Sequence, residues 1–171
     1  WETGYAYKQF IKTFAENTES LIMGEPEDEY TTIQAGQATG ELVGGNLSLF
    51  TKLVCGKYAV NLQGKILFLE ELGFEAAPEM VNSNIYYLKQ NGVFDKIAGL
   101  WIGNYEHPSK ISLEKIIMNA IGDEYKFPII KSDNFGHIDK KIIIPIGTKA
   151  EINTNEKIKI KLVEKCVDKG K

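Results

Sequence analysis

Apolar residues recur along this chain in two rhythms, and the change from one to the other outlines its elements. Tyr7, Phe10, Ile11 and Phe14 fall at i, i+3, i+4 and i+7, the stripe of a helix. Residues 24–30 (Gly-Glu-Pro-Glu-Asp-Glu-Tyr) are acidic and broken by proline, which predicts a solvated loop. Gly36, Gly40, Gly44 and Gly45 crowd the run up to Asn46, predicting a tight glycine loop that leads into a short helix over Leu47–Val54. Residues 65–69 (Lys-Ile-Leu-Phe-Leu) predict a buried strand. Pro78 opens a helix with Val81, Ile85 and Leu88 on its apolar face, and Gly92 suits its C-terminal cap. Residues 97–102 predict a second apolar strand. Ser112 suits an N-cap, with Leu113, Ile116, Ile117 and Ala120 on one face and Gly122 at the end. Beyond Pro128 the short runs 142–144 and 150–152, and the alternation Ile158, Ile160, Leu162, predict strands. Residues 164–171 predict a frayed tail.

Strand, helix, strand, helix and then several strands make a mixed α/β domain with a β-rich C-terminal part. A length of 171 residues fits one domain spanning the chain, large enough to bury roughly 70% of its unfolded surface. Composition narrows the partners. With 20 basic against 23 acidic side chains the net charge is −3, so no basic field would draw nucleic acid or an anionic membrane. No apolar run approaches the ~20 residues of a membrane span. Cys55 and Cys166 lie far apart without a repeating spacing, which predicts free thiols in a reducing, cytoplasmic setting. No signal peptide pattern is visible, and a start at Trp1-Glu2 predicts a fragment or a processed chain.

The chemistry centres on two distant residues. Glu70 ends an apolar strand, where rigid structure would hold its carboxylate. His137 follows Gly136 in a polar loop with Ser132, Asp133 and Asn134. Imidazole exchanges a proton near neutral pH, and an acid can fix its tautomer and stabilise its charged form. Those are two parts of a three-part nucleophilic site. The third, an activated serine, is not found: none of Ser20, Ser48, Ser83, Ser109, Ser112 and Ser132 lies in Gly-x-Ser-x-Gly. Ser48 is the best local candidate and reads as part of a helix start. Adjacent strand residues face opposite ways, so Glu70 and Glu71 do not form the paired carboxylates of a glycosidase. The glycine loop could cradle an anion at the helix start, but it matches neither dinucleotide nor phosphate-loop patterns and reads as a backbone-lined pocket wall. His107 and His137 lack metal-ligand spacing, and neither cysteine has a nearby thiol partner, so no metal or other cofactor is expected. His107 reads as a loop residue at a pocket edge. The residues alone therefore leave two classes open. One is a catalytic half that supplies base and orienter to a nucleophile carried elsewhere. The other is a peptide-binding or dimerisation domain without chemistry.

Five stretches in order carry a family likeness: 40–48, 64–71, 92–103, then Phe127-Pro128-Ile129 with Phe135-Gly136-His137, and Ile144-Pro145-Ile146-Gly147. Together they resemble the C-terminal domain of the LD-carboxypeptidase and microcin C immunity serine peptidases. The resemblance implies a swivelling β/β/α-like domain and a Ser-Glu-His triad, with Glu70 and His137 at the matching positions. The serine would come from an N-terminal α/β domain of the same parent chain. The resemblance also implies a substrate-facing Asn46 with Gly45 and Ser48 beside it, a peptide or peptidyl-nucleotide substrate with a free carboxylate, and a homodimer. After Glu71 the run Gly73-Phe74-Glu75-Ala76-Ala77-Pro78-Glu79 departs from the Tyr-Arg-x-Asp type of the carboxypeptidase branch and looks closer to the immunity branch. Without a nucleophile the isolated chain is expected to be inactive.

Overall fold

A computed structural model describes residues 4–16 and 18–167. It is a mixed α/β domain. Its core is a seven-stranded sheet in the order β1-β5-β4-β3-β2-β6-β7. β2 (Gln37–Asn46), β3 (Ile66–Glu71), β4 (Gly99–Tyr105) and β5 (Ile129–Lys131) are parallel neighbours. β1 (Thr31–Gln34) joins β5 antiparallel at one edge; β6 (Lys149–Asn153) and β7 (Ile160–Leu162) extend the other edge antiparallel.

Three helices, α2 (Leu47–Val54), α3 (Pro78–Gln90) and α4 (Leu113–Ile121), alternate with the parallel strands and cover one face. Their apolar sides, including Phe50, Val81, Ile85, Leu88 and Ile117, meet Leu67, Leu69, Leu100 and Ile102 of the sheet. The other face presents Ile66, Phe68 and Trp101 to Leu21, Met23, Phe135 and Ile142. Burial on both faces explains why all six residues of β3 are buried and why it reads as a continuous apolar run. The expected helices hold: Pro78 occupies the first turn of α3, and Gly92 (φ +65°) follows its last turn. Ser112 precedes α4 with no side-chain cap bond, and Gly122 ends it at φ +59°.

Four local expectations are corrected. The glycine-rich run is not a loop but strand β2. Gly44 (φ +142°) stands where a Cβ would lie 1.9 Å from the Phe68 carbonyl oxygen, so glycine serves close approach to β3. Residues 142–144 form no ladder; Ile142 instead drops onto the second face, its N–H donating to the Asn134 carbonyl at 2.8 Å. The N-terminal stripe belongs to α1 (Tyr5–Phe10), which continues as a π-helix over Ile11–Glu16. The wider π turn breaks the 3.6-residue face, so Gln9 and Thr13 point inward while Phe10 is 48% exposed. Finally, the acidic run 24–30 is not wholly solvated, because Asp28 within it is buried. Of the expected frayed tail, Glu164 accepts the Lys149 N–H at 2.8 Å, and the Cys166 thiol lies 2.8 Å from the Thr13 carbonyl oxygen; residues 168–171, like Trp1 and Glu2, lie outside the described residues.

Candidate active site

The site grows from the C-terminal end of β3, where two carboxylates follow one another. Alternation sends Ile66, Phe68 and Glu70 to one face and Leu67, Leu69 and Glu71 to the helical face. On the helical face Glu71 is 1% exposed and closes on the start of α2. It accepts hydrogen bonds from Asn46 Nδ2 (2.6 Å), the Ser48 N–H (2.9 Å), the Ser48 hydroxyl and the Leu72 N–H (3.1 Å). The donors at the start of α2, which could in principle hold an external anion, are thus met by a carboxylate of the chain itself.

On the opposite face Glu70, 5% exposed, meets His137: Nδ1 and Oε2 are 3.0 Å apart. A carboxylate only accepts, so Nδ1 carries a proton, and in the neutral ring Nε2 holds the lone pair. Nε2 has no hydrogen-bond partner among the described residues, and 57% of the imidazole side chain is exposed. A buried acid therefore fixes the tautomer of a ring whose other nitrogen is open to take a proton.

The loop that delivers His137 is laid against β4. The Trp101 indole N–H donates to Ser132 Oγ (2.8 Å), whose hydroxyl donates to Asn134 Oδ1 (2.7 Å). The Asn104 N–H donates to the Phe135 carbonyl (3.0 Å), and the Phe135 ring stands edge-on to Trp101 and Phe68. Gly136 adopts φ +122°, and a Cβ there would lie 3.1 Å from Glu70 Oε2. Glycine is what lets the loop descend onto the carboxylate.

The structure brings Glu70 and His137 together and sets Asn46 opposite Glu70 in the β2–β3 register. Asn46 is the N-cap of α2; its Oδ1 accepts the Leu49 N–H at 3.2 Å. Gly45 (φ +144°) has open space where a side chain would be. Ser48 is buried, with its hydroxyl committed to Glu71. His107 is not part of this group: its Nδ1 contacts Ser109 Oγ at 2.9 Å beside a surface cavity of about 590 Å³ shared with Tyr105 and Lys110. Among the described residues no cluster of three or more His, Cys, Asp or Glu side chains is placed to hold a metal ion. Cys55 and Cys166 are thiols, not a disulfide. No described helix is long and apolar enough to cross a membrane. Sequence reasoning gave Glu71 and Trp101 no role here. The alternation of β3 already put Glu71 on the helical face, but nothing in the sequence named the donors it would meet.

A strand-end acid holding a loop imidazole with one free nitrogen has the form of the acid–histidine pair of serine hydrolases. The chain belongs to the LD-carboxypeptidase C-terminal domain family, whose model matches residues 39–152. A probable murein peptide carboxypeptidase of Bacillus subtilis (strain 168) is 33% identical over 98% of this chain and 51% of its own length. A crystal structure of an MccF-like protein from Bacillus anthracis is 31% identical, with a TM-score of 0.68 over 79% of this chain and 43% of that one. The microcin C7 self-immunity protein MccF shares the fold at a TM-score of 0.79 and 20% identity, over 95% of this chain and 55% of that one. Solved structures of that protein include complexes with aspartyl sulfamoyl adenosine and glutamyl sulfamoyl guanosine. The chain spans about half the length of the first of these relatives.

Proposed function

We propose that this chain is the C-terminal part of a serine carboxypeptidase-type hydrolase and supplies two members of a Ser-Glu-His triad. The observation that carries the reading is the 3.0 Å contact between Glu70 Oε2 and His137 Nδ1, with no described residue hydrogen-bonded to Nε2. In the intact enzyme Nε2 takes the proton of a serine hydroxyl from the N-terminal part as its oxygen attacks the scissile carbonyl. The imidazolium then gives that proton to the leaving amine. Water deacylates the enzyme by the same route in reverse. Glu70 keeps the proton on Nδ1 throughout and offsets the ring's positive charge. Gly45, level with Leu69 in the ladder and with open space at its Cβ position, lines the substrate side through its backbone; the Asn46 and Ser48 side chains hold that strand end in place through Glu71.

The relatives support a substrate that is either a peptide or a peptidyl nucleotide. The two thiols suit a cytoplasmic enzyme. A non-catalytic binding module would have no use for a buried acid aimed at an exposed imidazole.

The test is turnover by the full-length parent enzyme on short peptides with a free C-terminus. Glu70→Gln and His137→Ala are each expected to lower kcat/KM by about 10³–10⁴-fold, with the fold intact by circular dichroism. Activity within tenfold of the parent in either variant would overturn the proposal. The 171-residue chain alone is expected to release no product.

A further inference from the structure

The acidic segment 24–30 contributes one buried carboxylate, and its bonds converge on the histidine loop. Asp28 is 7% exposed. Its Oδ2 accepts from Asn134 Nδ2 (3.3 Å), the Glu25 N–H (2.9 Å) and the Tyr5 hydroxyl. Its Oδ1 accepts from Lys140 Nζ (3.0 Å). Asn134 precedes His137 by three residues, and Lys140 follows it by three. One carboxylate therefore ties down both flanks of the imidazole. Asn134 is fixed further by donating to the Tyr30 hydroxyl at 2.8 Å, and the Lys140 ammonium sits 4.7 Å from the Tyr5 ring centroid. Burial by itself would raise the Asp28 pKa, but the donors from Tyr5, Glu25, Lys140 and Asn134 outweigh it, so the group remains an anion at neutral pH.

His137 needs such anchoring. Its side chain is more than half exposed and, among the described residues, held by one hydrogen bond, and a contact of that kind contributes little on its own. The separation from Glu70 depends on where the backbone sets the ring.

We propose that Asp28 is a positioning residue for His137: by holding Asn134 and Lys140 on one buried carboxylate, it sets the loop so that Nδ1 meets Glu70. This rests on reading Glu70 and His137 as orienter and base.

The test uses the 171-residue chain with ¹⁵N-labelled histidine, observed by NMR above neutral pH. Only His107 and His137 give signals, and His107 serves as the internal control. In the parent chain the His137 nitrogens report a protonated Nδ1, and Glu70→Gln defines their positions when the partner is altered. Asp28→Asn is expected to move the His137 nitrogens toward the Glu70→Gln positions and leave His107 unmoved. Ile85→Val, a core change on the helical face of the sheet, is expected to move neither histidine. In the full-length enzyme Asp28→Asn is expected to lower kcat by about 10- to 100-fold with KM within about twofold. His137 signals unchanged in folded Asp28→Asn, while still responding to Glu70→Gln, would overturn this inference and leave the acid–imidazole pair standing. His137 signals indifferent to Glu70→Gln would remove the pair and this inference with it. If Asp28→Asn does not fold, Lys140→Met, which removes one tie from a half-exposed side chain, decides by the same signals.

Discussion

Glu70 and Glu71 are neighbours in sequence, yet their carboxylates serve opposite faces of the sheet. Glu70 meets the His137 ring at 3.0 Å; Glu71 receives the backbone and side-chain donors at the start of α2. The pleat gives two adjacent acids entirely different partners. The same pleat makes the two acids experimentally separable.

Glu71→Ala removes an acceptor that satisfies Asn46 Nδ2 and the N–H groups of Ser48 and Leu72. Leaving such donors buried and unpaired costs about 2–4 kcal/mol. For a chain of this size the melting temperature is expected to fall by about 5–15 °C. Glu70→Gln, whose partner is an exposed ring, should lose under about 1 kcal/mol. Equal losses in the two variants, measured by urea unfolding, would contradict this division.

Gly136→Ala meets two obstacles. It places a side chain at φ +122° and sets a Cβ 3.1 Å from Glu70 Oε2. Gly147→Ala, at φ +88° with open space around it, meets only the first. Backbone strain of this kind costs about 1–3 kcal/mol. The loss at Gly136 is expected to exceed that at Gly147 and to reduce turnover of the full-length enzyme. A Gly136 variant as stable as the Gly147 one would show that the loop yields freely.

Acid stability depends on Asp28. Its folded pKa is held below the ordinary 3.8: burial pushes it up, but hydrogen bonds led by that of Tyr5 push it further down. A depressed folded pKa means stability that is present above the unfolded value and lost as pH falls through the folded one. Asp28→Asn is expected to be less stable near neutrality, yet to lose less on acidification from about pH 5 to pH 2. Urea midpoints across that range test this; parallel curves for parent and variant would refute it.

Alkaline stability depends on Tyr5 and Tyr30. Burial raises both phenols above their ordinary 10.0, and at Tyr5 the Asp28 carboxylate adds to the rise. A raised folded pKa gives stability that is complete below the unfolded value and is lost as pH climbs past it. From about pH 9 to pH 11 the parent is expected to lose more stability than a Tyr5→Phe, Tyr30→Phe double variant. Equal losses would place these phenols in water.

The helices and central strands were legible because their signals are local. Val81, Ile85 and Leu88 between Pro78 and Gly92, and the unbroken run in β3, state period and boundary within a few residues. β2 was misread because Gly44 and Gly45 look like loop residues until β3 is in place beside them, with the Phe68 carbonyl against Gly44. β1 is short and lies at a sheet edge, where two of its four residues are exposed and the pattern is faint. Residues 142–144 have strand composition but no neighbouring strand to bond. Asp28 was hidden because its donors come from Tyr5, Asn134 and Lys140, and local composition says only that the segment is charged.

By itself the sequence determined the alternation of strands and helices, the end of β3 on two acids that must face apart, and a glycine-marked histidine loop. Periodicity and backbone stereochemistry are properties of adjacent residues, so they can be read in one dimension. Only the tertiary structure decided that Glu70 meets His137 across a sequence separation of 67, that Glu71 closes α2, and that Asp28 bonds both flanks of the loop. Those contacts depend on which strands become neighbours, and strand order is settled by the whole chain burying its apolar faces at once.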